Sequence, residues 1–274
     1  METFVQILSF LLPVGYLAAF VLYLRRFLEE DAEGPFFGSP LLVLTLVLHG
    51  AYLAAMGAAY DHIPISSRAE FLSLVVLCIG FVYIFAERKH GDPNTGVFFL
   101  PLLVVGQTWS SLLMDHGHTH PLLYENQVYG IHVLFTVFGF TSLAVSALYA
   151  LMYILLARQL KSRNLGLIFR RLPPLNILEK MSRLATLFGI LFLGIGLATG
   201  HFLAVYVLDD FNLLDPKIVI TYIAWAGYAL GYLVVKLRGL SGLRIGYLSL
   251  GGYLALIAAM IFVNTFLPSF HSFQ

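Results

Sequence analysis

The chain of 274 residues is 59% hydrophobic and 11% charged, with a formal net charge of +1 and a mean hydropathy of +0.85. A soluble domain carries roughly one-quarter charged residues, so composition excludes a water-soluble globule, and the balanced charge gives no argument for nucleic acid or a strongly acidic partner. Cys78 is the one cysteine, which rules out an internal disulfide, a CxxC redox pair and a thiolate cluster; iron or metal chemistry has to use histidine.

About 20 apolar residues are needed to cross roughly 30 Å of hydrocarbon. That ruler predicts eight membrane helices, over 4–24, 40–60, 71–87, 95–114, 131–157, 184–207, 218–235 and 245–267. The first run follows no basic stretch and carries no small-residue cleavage site, so it is expected to be kept and not removed as a signal. No internal repeat or low-complexity tract interrupts the series. The expected fold is therefore all-α, a single polytopic domain over residues 1–274.

Orientation follows from where the fixed positive charges fall. Arg25, Arg26, Arg88, Lys89, seven residues between Arg158 and Arg183, and Lys236, Arg238 and Arg244 occupy one set of loops, fourteen of the sixteen basic residues. Those loops are expected to face the cytoplasm, with both termini outside. The outer loops are then 61–70, 115–130 and 208–217, holding Arg68 and Lys217. The long inner loop, 158–183, mixes leucine and isoleucine with its basic residues and has a Pro173-Pro174 break that could start a short helix. It reads as an interfacial segment on anionic headgroups.

The histidines mirror this distribution. Eight of nine lie outside or within the spans: His62, His116, His118, His120, His132 and His271 outside, His49 in helix two and His201 in helix six. Neutral imidazole tolerates burial and offers a nitrogen lone pair to iron or another transition metal. An intramembrane histidine can equally bond a neighbouring helix, a reading open for His49 and His201. Two imidazoles from separate helices can fill both axial positions of a haem iron. His132, at the start of helix five, and His271, past the Pro268 that ends helix eight, form an outer pair; His49 and His201 form a candidate intramembrane pair. Haem propionates need cations at the wet edge, and Arg68 or Lys217 could supply them. A rival is the DHGHTH stretch, where Asp115, His116, His118 and His120 could hold zinc or copper.

Four stretches resemble a known family. SRAEFLSLVVLCIGFVYIFAERK, with Glu70, YGIHVLFTVFGFTSLAVSALYALMYILLARQLKSR, with His132, FRRLPPLNILEKMSRL, and DPKIVITYIAWAGYALGYLVVKLRGLSGLRIGYLSLGGY followed by SFHSF are similar to the cytochrome c assembly family, which includes CcsA and the HemX and YpjD-type proteins. The resemblance runs in order over most of residues 66–271. It implies haem handling in cytochrome c maturation, with His132 and His271 matching the two outer histidines between which CcsA presents haem. Two departures point to the HemX/YpjD branch. HFLAVYVLDDFNLLDPK keeps Asp215, Pro216 and Lys217 but has none of the tryptophans of the family's outer motif, and helix seven has no histidine.

The expected function is haem transport or presentation through the outer histidines, with b-type haem as the cofactor and no catalysis in the ordinary sense, since no nucleophile and base, phosphate loop or paired membrane carboxylates appear. Expected partners are haem, the lipid bilayer of a bacterial-type cytoplasmic membrane, and a further maturation subunit or apocytochrome c. The alternatives are a HemX-like regulator of haem synthesis acting through the inner loop, and a divalent-metal transporter or sensor built on the histidine-rich loop.

Overall fold

The computed structural model describes residues 2–29, 34–60, 63–65, 67–114, 127–163, 166–207 and 214–266. Among them are α1 (Glu2–Leu28), α2 (Gly38–Tyr60), α3 (Arg68–His90), a 3-10 turn (Pro93–Thr95), α4 (Gly96–Leu113), α5 (Gln127–Lys161), α6 (Leu167–Arg171), α7 (Leu175–Val207), α8 (Pro216–Leu237) and α9 (Leu243–Phe266), with no strand. All but the five-residue α6 are long and apolar enough to cross a membrane. The eight expected spans are there.

The predicted inner loop is largely helical. α5 continues to Lys161, and α7 starts at Leu175 because Pro174, having no N–H to satisfy, caps a helix whose first donors, Ile177 and Leu178, bond its carbonyl at 3.0 and 3.2 Å. The short helix precedes the proline pair and does not follow it. Described residues cluster into two compact units: residues 1–125 with 166–172, and residues 126–165 with 173–274. The sequence reading treats the chain as one domain, and its long loop separates helices five and six; the division between units falls before α5 instead.

In the first unit α1 packs on α2 and α4, and α3 packs on α4 and α2. α1 turns Leu8, Leu12, Tyr16, Ala19, Tyr23 and Phe27 inward, a stripe at helical spacing. Pro13 leaves the carbonyl of Ser9, four residues back, without its helical donor; Ser111 Oγ of α4 donates to it at 2.7 Å. A helix defect is thus satisfied by a neighbour, as hydrocarbon requires. α3 begins with a capping box, Ser67 Oγ accepting from Glu70 N at 3.1 Å and Glu70 Oε2 from Ser67 N at 3.4 Å. It ends at Gly91, whose φ of 69° suits glycine.

In the second unit α5 and α7 meet along glycines. A Cβ on Gly139 would stand 2.8 Å from Leu193 N, and one on Gly196 would stand 2.7 Å from Thr136 Oγ1. Small residues permit this approach, and packing holds it where lipid gives no hydrophobic drive. Ser146, Ser182 and Thr186 bond one another across the same seam at 2.7 to 3.1 Å. α8 is tied to α7 by Trp225 Nε1, which donates to Ile190 O at 2.9 Å. The α8–α9 turn, with Gly239 and Gly242 at φ 60° and 81°, is clasped by α7: Arg183 donates to Glu179 and to Leu240 O, while Glu179 accepts from Gly242 N at 3.3 Å.

Candidate functional site

His132 lies in the second turn of α5, half-buried against α7. Its Nδ1 is 2.7 Å from Gly196 O. A carbonyl only accepts, so Nδ1 carries the proton and the lone pair is on Nε2. Gly200, one turn further along α7, seats the ring: a Cβ there would stand 2.5 Å from Nδ1 and Cε1. Thr136 Oγ1 turns back to His132 O at 2.7 Å, and Thr199 Oγ1 donates to Ile195 O at 2.9 Å with Gly196 O at 3.0 Å. The imidazole is thus held in one tautomer and orientation by backbone and by the absence of one methyl group. A bond of this kind, made by the ring nitrogen that does not ligate, orients histidines toward metals. His201, the residue after Gly200, is half-buried on α7, so the two helices carry imidazoles at one level.

His49 has a different setting. It is fully buried in the first unit. Tyr16 Oη lies 2.8 Å from Nδ1, Ser73 Oγ lies 2.8 Å from Nε2, and Ser73 Oγ donates to Gln107 Oε1 at 3.1 Å. Because the Ser73 proton goes to Gln107, Ser73 accepts from Nε2 and Tyr16 donates to Nδ1. One residue from each of α1, α2, α3 and α4 forms this network. Both ring nitrogens are engaged, the setting of a helix-bridging histidine; the expected partner of His49, His201, belongs to the other unit.

Arg68 is exposed as the first residue of α3, and Lys217 is the second of α8. A helix N-terminus disfavours a cation, and each stands two residues from a buried acid, Glu70 and Asp215 respectively. Asp215 and Pro216 start α8, with Val219 N donating to Asp215 O at 3.0 Å, so this triplet is a helix start as well as a family match. His271, Asp115, His116, His118 and His120 lie outside the described residues. Among those described, no three of His, Cys, Asp and Glu converge as a metal site.

Sequence reasoning missed a buried carboxylate. Glu87 Oε2 accepts from Tyr23 at 2.5 Å and from Tyr83 at 2.6 Å, and Oε1 accepts from Ser39. A Cβ on Gly96 would collide with the Tyr23 ring and the Tyr83 hydroxyl. Glu87 sits in the basic stretch AERKHG and reads as solvated; the signals were Tyr83 four residues before it and Tyr23 on the inward stripe of α1.

Eight spans and a tautomer-fixed histidine on a helix seam define a polytopic helical membrane protein that offers an imidazole from α5. The chain belongs to the cytochrome c assembly protein family, whose model matches residues 9–271. It is 26% identical over 228 residues to protein HemX of Brevibacillus brevis, covering 78% of this chain and 79% of that protein. It is 23% identical over 262 residues to the inner membrane protein YpjD of Escherichia coli K12, covering 92% and 95%. These relatives agree with the HemX/YpjD branch, and the YpjD relative with a multi-pass inner membrane protein.

Proposed function

We propose that this protein binds haem, with His132 as an iron ligand through Nε2 and His271 as its outer partner, and that it carries or presents the cofactor without catalysing a bond change itself. The observation that supports this is the bond from His132 Nδ1 to Gly196 O, which leaves Nε2 as the coordinating nitrogen. Iron ligation by neutral imidazole needs such a tautomer. Haem would supply the redox-active, covalently attachable group; this chain's residues would hold and orient it. Lys217, in the same unit as His132, is the cation proposed for its propionates. His201 is proposed as a neighbour that tunes the site from α7.

The test is the absorption spectrum of the detergent-purified protein, oxidised and dithionite-reduced, beside His132→Ala and His132→Ala with His271→Ala. A Soret band in the parent that shifts in the single variant and collapses in the double one supports the reading. A parent that stays colourless after haem addition overturns it and favours a regulatory membrane protein acting through the segment around Arg170 and Arg171.

A further inference from the structure

The second unit contains a groove of about 660 Å³ between α8 and α9, running from Ile220 to Val235 on α8 and from Ile245 to Ala259 on α9, with Arg183 and Thr186 of α7 at one end. Gly227, Gly231 and Gly251 line it, and a Cβ on any of them would meet nothing within 4 Å. These glycines differ from those of the α5–α7 seam, where each missing methyl is replaced by a neighbour. Glycine weakens a helix interior by about 0.5–1 kcal/mol relative to alanine, and no contact within the unit offsets that at these three positions.

Fifteen residues of α8 rise about 22 Å, and the walls of the groove are mainly apolar along that length, so it offers a continuous track for extended hydrocarbon. Charge selects further. The Arg183 end also carries Arg158, whose Nε and Nη2 donate to Tyr247 Oη at 3.2 and 2.9 Å, and Tyr247 is a wall of the groove. Lys236, Arg238 and Arg244 belong to the same end, while Arg183 itself is paired with Glu179 at 2.6 Å. Arg158 is exposed with its guanidinium 5.8 Å from the Tyr247 ring centre, a planar fork suited to a phosphate at headgroup depth.

We infer that the α8–α9 groove is a binding site for an anionic phospholipid, whose acyl chain lies along Gly227, Gly231 and Gly251 and whose phosphate meets Arg158 beside Tyr247. The site takes its ligand from the leaflet at the basic-loop end. It is independent of the proposed haem ligation, since none of its residues holds His132.

The full-length protein in vesicles would be photolabelled with a diazirine-tagged phosphatidylglycerol and, separately, with the matching phosphatidylcholine, followed by peptide mapping. Phosphatidylglycerol label concentrated on residues 216–260, reduced at least about fivefold in Gly227→Leu with Gly231→Leu, is the expected result. Arg158→Gln should lower the phosphatidylglycerol preference about fivefold, the effect of one basic residue at an anionic surface. Equal labelling by the two lipids, or full labelling of the doubly filled groove, overturns the site, as does a second copy cross-linking through α8 in place of lipid. Should the double leucine variant fail to fold, the parent's lipid ratio and Arg158→Gln still decide.

Discussion

His49 commits both ring nitrogens to Tyr16 and Ser73, whereas His132 gives Nδ1 to a backbone carbonyl and keeps its lone pair on Nε2. Replacing His49 by alanine would orphan the Tyr16 and Ser73 hydroxyls in the bundle and open a cavity, at a cost of about 2–3 kcal/mol. Interhelical bonds in membranes are individually weak, so the shared loss of two of them with packing sets the size. His49→Ala should therefore lower the thermal midpoint in detergent while leaving the parent's Soret band unchanged. A folded variant that loses its band would return His49 to the ligand set. At this scale the sequence singles out His132 by a family pattern and His49 by its place in a span, but residue type cannot tell an imidazole bonded at both ring nitrogens from one bonded at Nδ1. That difference lies in Tyr16, Ser73 and Gln107, which come from three other helices.

Helices are decided by what their small residues touch. Gly200 makes room for the His132 ring, while Gly227 faces an open groove. Gly200→Ala has to push either the ring or α7 aside, an overpacking cost of about 1–3 kcal/mol, and if His132 ligates iron it should also shift the Soret maximum or the reduction potential. Gly227→Ala meets no atom and, by the helix propensity it gains, should raise stability by about 0.5–1 kcal/mol in the same thermal measurement. Equal effects of the two substitutions would remove the seam as the device that positions His132. The spans themselves were legible because hydropathy reads one residue at a time and eight apolar runs are long enough to cross. The start of α7 was not, since its first turns carry Glu179, Lys180 and Arg183 and score as loop until the clasp from Arg183 and Glu179 to the α8–α9 turn is seen. The boundary before α5 was equally hidden, because which helix packs on which is a matter of side-chain fit.

At the scale of the whole chain, the argument turns on charge. The described residues hold eight candidate spans, and the expectation that both termini lie outside rests on the positive-inside bias. Arg158 and Lys161 end α5, while Lys180 and Arg183 lie in the first turns of α7, within the short distance of a span over which basic residues set orientation. Arg68 and Lys217 oppose it, but each begins a helix beside a buried acid, and two residues do not outweigh fourteen. In a Cys78→Ala background, single cysteines at exposed positions should then divide cleanly. Thr3→Cys and Ile63→Cys should react with a membrane-impermeant maleimide in intact spheroplasts, and Ser241→Cys, in the turn between α8 and α9, should react only after permeabilisation. The reverse pattern would put the basic loops outside and place His132 on the cytoplasmic side, where a presenting role toward exported apocytochrome has no geometric basis.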